Sequence, residues 1–417
     1  MNKTQQREIA RSRKHERGTI LVLLALSAVA VFLVLGLSID IGGAYVQHAR
    51  LSQAVDAGVL AGARNTAAGD AQITAIALKV AKANYAGTQP ATYTVSITVP
   101  AVDTKRVSMT AATTAKGRFG SLIGKSALDL SVDGEATRYP LDMSLVLDLS
   151  YSLQRNNAFD DMQAAASAFL DYFDDSVDQV GITTYSTWAE DQLPVQKNFQ
   201  ASGTSLINGL SAISDTNIQE GLRVSKNQLD VAPQRAGALK IVVLFTDGRP
   251  TAYRHTFSFT DPDCPSYDSI AAAYINGESY RGLFRWTDGR KIRYFNAGCT
   301  PVTTYNGSYS TSVKPTEVSS NAPDGTYIRT EGALTAEQQA TAIRQAGYTV
   351  YAVGLGNPNA LYPGDVPDLD FLARVANEDG QSSMSEPRGE VFFAPSPADL
   401  DNVFAQLANR LLTRLTR

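Results

Sequence analysis

Residues Met143 to Gln154 read MSLVLDLSYSLQ. Four of the first five residues are apolar, and the run then stops at one carboxylate and two hydroxyls, Asp148, Ser150 and Ser152, in D-x-S-x-S spacing. A second run, KIVVLFTDG (240–248), also ends an apolar strand at a carboxylate, Asp247. In an open α/β sheet, ligands sit beyond the carboxyl ends of the strands, so the two endings place oxygen donors on one edge. Thr216, in SDTNIQEGL, opens a helix at a point that turns a third hydroxyl toward the same edge.

The sequence around these runs sets the fold class. From Pro140 onward short apolar strands alternate with amphipathic helices. Strands are predicted at Met143–Leu147, Gln179–Tyr185, Leu239–Phe245, Thr349–Gly354 and Glu390–Phe393. Helices are predicted at Ala158–Phe173, Ser205–Ile213, Asn217–Gln228, Ala336–Gln345, Leu369–Ala376 and Pro397–Leu415. That alternation predicts an α/β fold with a doubly wound, mostly parallel sheet. Pro250 to Glu331 interrupts it, rich in Tyr, Ser, Thr, Asn, Asp, Gly and Pro. The stretch is too long for a plain connection and reads as an inserted subdomain, 250–331, within a domain spanning 140–417. Its tyrosines, from Tyr253 to Tyr309, suit either a binding surface or a small core of its own.

Five oxygen donors with no His or Cys among them select a hard divalent ion, Mg²⁺ or else Mn²⁺ or Ca²⁺. Only Asp148 and Asp247 are anionic, so the ion keeps positive charge and a position for an outside ligand such as a partner's carboxylate. Alone, D-x-S-x-S is weak, because average usage yields it by chance in roughly one chain in ten of this length. A capped turn would look the same. Its weight comes from the second strand ending and the Thr at a helix start.

The N-terminal part is of another kind. The first 17 residues hold six Lys or Arg against two Glu, a basic tail in a chain of net charge −4. Gly18 to Ile41 then carries no charge until Asp40. That apolar run is long enough for the roughly 30 Å hydrocarbon core of a bilayer. A transmembrane anchor over 18–41 is expected, although Ala28-Val29-Ala30 would also serve a cleaved signal peptide. The basic tail puts the N-terminus in the cytoplasm and exports the rest. The exported part is acidic, which argues against nucleic acid as a partner. Cys264 and Cys299 are the only cysteines and are expected to pair as a disulfide in an oxidising compartment. Residues 42–139 read as an Ala-rich helix, interrupted near Gly69-Asp70, followed by a hairpin (91–102 and 107–115) and a third strand (128–139). That is the plan of a small pilin-like α+β region.

DLSYS, the Thr of SDTNIQEGL and FTDG after a buried strand together resemble the metal-ion-dependent adhesion site of von Willebrand factor A domains. The resemblance implies that Ser150, Ser152 and Thr216 ligate through hydroxyls, while Asp148 and Asp247 act largely through waters. Tyr151 and Asp215 stand where that family often has small residues and would face the ligand. RGTILVLLALSAVAVFLVLGLSIDIGGAYVQHARLSQAVDAGVLAGAR (17–64) is similar to the anchor of TadG-like Tad (Flp) pilus-assembly proteins, with Asp40-Ile41-Gly42 as its D-x-G boundary. After Gly18 this chain has Thr19 and apolar residues, where TadE-like relatives place a Glu close to a processing Gly.

The two resemblances imply a non-enzymatic protein of a bacterial inner membrane, with its C-terminal domains periplasmic or at the cell surface. It would bind an acidic protein ligand through the ion and meet pilus or secretion-machinery components. The alternatives are a scaffold or structural minor pilin without metal-dependent adhesion, and a phosphoryl-transfer enzyme. The enzyme is disfavoured because an aspartyl nucleophile site wants D-x-D, and Ser150 stands at the second position.

Overall fold

The computed structural model describes residues 3–65, 69–213, 215–259, 267–272, 282–285, 301–302, 325–356 and 367–415, with side chains over 20–65, 69–213, 215–255, 329–356 and 367–412. The chain divides into two compact units, one comprising residues 1–100 and 105–138, the other 101–104 and 139–415.

In the first unit, α1 (Lys3–Arg64) runs unbroken and α2 (Asp70–Asn84) follows, so the expected interruption falls between them. Residues from Ile20 onward give α1 a stretch long and apolar enough to cross a membrane. The helix changes character along its length. Most of its apolar side chains from Ile20 to Ile41 are exposed, whereas Leu51, Val55, Val59 and Ala63 are buried. They pack with Ile73, Ala77 and Ala81 of α2. Strands β1 (Thr92–Ala101), β2 (Thr104–Lys116) and β3 (Ala127–Arg138) form a sheet with β2 central and β3 antiparallel to it. Val107, Met109 and Ala111 alternate along β2 and face the same core.

Small residues allow the two helices to approach. A Cβ on Gly58 would stand 2.8 Å from both the Ala77 carbonyl oxygen and the Ala81 methyl. Gly58→Val is therefore expected to destabilise this unit by about 1–3 kcal/mol through overpacking. Thermal unfolding followed by circular dichroism would measure it, and an unchanged transition would mean that the helices are free to separate.

The second unit holds β4 (Leu141–Asp148), α3 (Tyr151–Arg155), α4 (Phe159–Leu170), β5 (Gln179–Tyr185), β6 (Ala189–Gln196), α5 (Gln200–Asn208), α6 (Ile218–Val231) and β7 (Leu239–Thr246). It continues through β8 (Ala252–Phe259), β9 (Tyr267–Ala272), β10 (Gly282–Arg285), β11 (Pro301–Val302), α7 (Gly325–Gln345), β12 (Thr349–Leu355), α8 (Leu369–Ala376), β13 (Val391–Ala394) and α9 (Leu400–Leu415). The main sheet has the order β13-β12-β7-β4-β5-β6, parallel except for β6. The expected α/β class with a mostly parallel sheet is what the structure has.

Strand alternation divides the core into two faces. Met143, Leu145 and Leu147 of β4, with Val243 and Phe245 of β7, lie against Phe169 of α4 and Phe404 and Leu407 of α9. Val146, Val242 and Leu244 point the other way, toward Ile218 and Leu222 of α6, Ala340 of α7 and Leu372 of α8. A strand covered on both faces carries apolar residues in succession, and every residue of β4 is buried. The polar Ser144 within it donates to Gln228 Oε1 at 2.7 Å.

Two expected elements are corrected, and the edge strand β6 has no counterpart among the expected strands. The helix expected over Ser205–Ile213 runs five residues earlier, with Phe199 and Ile207 buried beside it. The helix expected from Ala336 begins at Gly325, inside the stretch assigned to the insert. The insert itself contains a sheet of order β10-β9-β8-β11. Tyr253, the one insert tyrosine whose side chain is described, is buried. Cys264 and Cys299 lie outside the described residues, as do their expected pairing and the side chains of the other insert tyrosines.

Candidate functional site

The parallel pairing of β4 with β7 sets Val146 opposite Leu244, two residues before Asp148 and Thr246. The carboxyl ends of the two central strands therefore stop side by side. Beyond them the chain turns, and Ser150 becomes the N-cap of α3. Ser150 Oγ and Ser152 Oγ lie 2.9 Å apart. Both hydroxyls reach Asp247 Oδ1, Ser152 at 2.7 Å and Ser150 at 3.3 Å. Two residues from one loop and one from another thus share a point in space.

Asp148 is held from behind. Its Oδ1 accepts the Ser150 backbone N–H at 2.8 Å, and its Oδ2 accepts from Thr246 Oγ1 at 2.9 Å and Tyr185 Oη at 3.2 Å. Tyr185 sits opposite Asp148 on β5, and its hydroxyl is also 2.9 Å from the Phe245 carbonyl. Asp148 is fully buried and Asp247 is 2% exposed. Burial pushes the Asp148 carboxyl up to about 6 against the pull of its hydrogen bonds from Ser150, Thr246 and Tyr185. The same burial, with the Asp148 charge beside it, raises the Tyr185 hydroxyl well above its ordinary value, so it stays protonated as a donor.

Thr216 is buried and lies just before the helix rather than at its first position. Asn217 is the N-cap of α6, accepting the Glu220 N–H. A reciprocal tie fixes Thr216 beside the exit of β7. Its N–H donates to Thr251 Oγ1 at 2.9 Å, and its carbonyl accepts the Thr251 N–H at 2.9 Å. The Asn217 carboxamide donates to the Thr187 carbonyl at 3.0 Å, anchoring the same loop to the chain after β5.

The two residues expected to face a ligand are placed differently from each other. Tyr151 is 42% exposed. Asp215 is 3% exposed, and its carboxylate accepts from Thr187 Oγ1 at 3.4 Å and Thr251 Oγ1 at 3.3 Å. Its place is in the support of the loop. Sequence reasoning missed Tyr185, Thr246, Thr187, Thr251 and Asn217, of which only Thr246 and Asn217 stood next to an assigned residue.

A set of two buried carboxylates and neighbouring hydroxyls, held in fixed positions, fits a hard divalent cation, since buried charges are stable only when paired or coordinating a metal. Asp148, Ser150, Ser152, Thr216 and Asp247 are the residues that could hold one. No groups of three or more His, Cys, Asp or Glu suited to a metal occur among the described residues, so such a site rests on hydroxyls as much as on carboxylates.

Two family models match parts of this chain. A family model described as von Willebrand factor type A domain matches residues 143–249, which run from β4 to just past Asp247. A second, described as putative Flp pilus-assembly TadE/G-like, matches residues 18–65. No curated protein matches the chain. Solved structures similar to it include proximal thread matrix protein 1 from the mussel byssus, at 16% identity and TM-score 0.37, over 67% of this chain and 47% of that one. The pilus adhesin SpaC from Lactobacillus rhamnosus GG is similar at 13% identity and TM-score 0.43, over 78% of this chain and 35% of that one. The vWF domain of the type V pili tip protein Mfa5 from Porphyromonas gingivalis is similar at 15% identity and TM-score 0.41, over 67% and 97%. The chain thus spans less than half of the first two structures it resembles. It carries a Flp pilus-assembly TadE/G-like segment followed by a von Willebrand factor type A domain.

Proposed function

We propose that the protein is a membrane-anchored, extracytoplasmic A-domain protein of Tad (Flp) pilus assembly or surface adhesion, and that it binds an acidic protein ligand through a divalent ion. The observation that carries this reading is the convergence of Ser150, Ser152 and Asp247 within 3.3 Å, beside the fully buried Asp148. The ion, Mg²⁺ or else Mn²⁺ or Ca²⁺, would complete its coordination with a carboxylate of the partner. Asp148 and Asp247 would balance its charge only in part, which leaves it attractive to a third anion. The exposed Tyr151 would flank the point of entry.

The apolar stretch of α1 supports the anchor, and the TadE/G-like match over residues 18–65 supports the pilus setting. The basic tail before the anchor favours a cytoplasmic N-terminus in the bacterial inner membrane, with the A domain periplasmic or at the cell surface. The donor set holds no His or Cys, and Ser150 stands where an aspartyl nucleophile site would carry its second Asp, so a binding role is favoured over catalysis.

The test is calorimetric titration of Mg²⁺, Mn²⁺ and Ca²⁺ into the full chain, stripped of metal and held in detergent. Saturable binding to a single site is expected. Absence of heat with all three ions would remove the metal-bridged mechanism and leave a scaffold role for the A domain.

A further inference from the structure

The loop between β2 and β3 is a built structure with an apolar tip. Leu122 is 72% exposed and Ile123 is 54% exposed. Phe119 precedes them, and Lys116, Arg118 and Lys125 flank them, all exposed. The loop is fixed to α1 by one side chain, Asp40. Its carboxylate accepts the backbone N–H groups of Arg118 at 2.9 Å, Phe119 at 2.8 Å and Gly120 at 2.7 Å. One turn earlier on the helix, a Cβ on Gly36 would stand 2.4 Å from the Phe119 ring, so a glycine there lets the ring lie against the helix backbone.

The height of this attachment decides what the tip meets. Gly36 and Asp40 belong to the last turns of the apolar run 18–41, where Leu35, Ile39 and Ile41 are themselves exposed. A helix rises about 1.5 Å per residue, so the run spans roughly 36 Å and overshoots a hydrocarbon core of roughly 30 Å by a few residues. The loop is therefore clamped to the helix where acyl chains give way to headgroups. Apolar side chains surrounded by cations suit that layer, the former reaching the acyl boundary and the latter the lipid phosphates.

We propose that the loop Gly117–Ser126 is a second membrane contact, inserted at the interface of the bilayer that α1 crosses, with Asp40 as the positioning residue that sets its depth. The inference rests on the anchor reading above. Two contacts at one height would fix the rotation and tilt of α1, which a lone helix leaves free.

The experiment uses the full chain in vesicles of phosphatidylethanolamine and phosphatidylglycerol, brominated either near the headgroup end or near the terminus of the acyl chains. Tryptophan is introduced singly by Leu122→Trp, Leu26→Trp or Val102→Trp, and emission is compared with that of the native chain. Bromine near the headgroups is expected to quench Leu122→Trp more than deep bromine does, with a blue-shifted emission. Leu26→Trp, within the span, should be quenched by deep bromine, and Val102→Trp, in the turn between β1 and β2, by neither. Ile123→Trp repeats the tip measurement at a second exposed site. Quenching at 26 with none at 122 or 123 would overturn the loop proposal and leave the anchor standing. No quenching at 26 would overturn the anchor itself and the loop with it. Adding Asp40→Ala should reduce quenching at 122 and not at 26, and an unchanged signal would overturn the role given to Asp40.

Discussion

With Mg²⁺ at about 100 times its dissociation constant, the second unit should gain about 2.7 kcal/mol of stability, and Asp148→Ala and Asp247→Ala should each abolish that gain. The gain follows from mass action, because an ion that binds only the folded arrangement draws the equilibrium toward it. Asp247 is the more direct test. Its Oδ1 is the point at which the Ser150 and Ser152 hydroxyls meet, so its removal leaves them with no common partner. Asp148 removal acts differently. It takes away the acceptor for Thr246, Tyr185 and the Ser150 N–H, and so loosens the loop as well as the charge. Differential scanning calorimetry with and without ion separates the two cases. A metal-dependent shift that survives Asp247→Ala would place the ion elsewhere, whereas a shift lost in both variants locates it between the strand ends.

The residues of this candidate site were legible because Asp148 and Asp247 close apolar runs, Ser150 and Ser152 follow the first of them within four residues and Thr216 precedes a helix. A parallel sheet brings such endings to one edge. What holds them was not legible. Tyr185 lies 37 residues from Asp148, and only the pairing of β5 with β4 brings its hydroxyl to the carboxylate. Asp215 shows the same limit from the other side. Its neighbour Thr216 suggested a place facing ligand, but Thr187 and Thr251 come from two other loops and hold its carboxylate inward. Support of this kind depends on contacts between loops, which one-dimensional spacing does not carry.

The fold was legible wherever burial on both faces forces a continuous apolar run, as in β4, β7 and β12. It was illegible where packing on one side relaxes that demand. In β6, AEDQLPVQ carries two acids and a proline and reads as a loop. As the antiparallel edge of the sheet it can tolerate them, since one row of its backbone groups needs no partner strand. The register shifts opposite Ile182 show the cost as local irregularity. The early start of α7 was hidden for a related reason, because Gly325–Ala333 lacks the apolar spacing that Ala336, Ala340 and Ile343 give the rest of the helix.

Arg344→Met should destabilise the second unit by about 3–5 kcal/mol, because it breaks a buried ion pair on one side only. Arg344 is 1% exposed, yet no motif pointed to it. It stands near the end of α7, and every part of its guanidinium is used. Nε donates to Glu386 Oε2 at 2.8 Å, and Nη2 donates to Thr341 Oγ1 at 2.9 Å. Nη1 donates to the carbonyls of Arg374 at 3.3 Å and Val375 at 2.6 Å, in the last turn of α8, where a cation also meets the negative end of the helix dipole. The helix then stops at Asn377, in the left-handed region with φ 58°, whose carboxamide binds the returning chain at Ser382 and Ser383. Methionine would fill much of the space and leave the Glu386 carboxylate and both carbonyls facing a side chain with no donor. Denaturant unfolding measures the loss, and adding Glu386→Gln to Arg344→Met should recover part of it, since the stranded charge is the larger share. A loss below about 1 kcal/mol would mean that water reaches the pair and screens it, as at an exposed salt bridge.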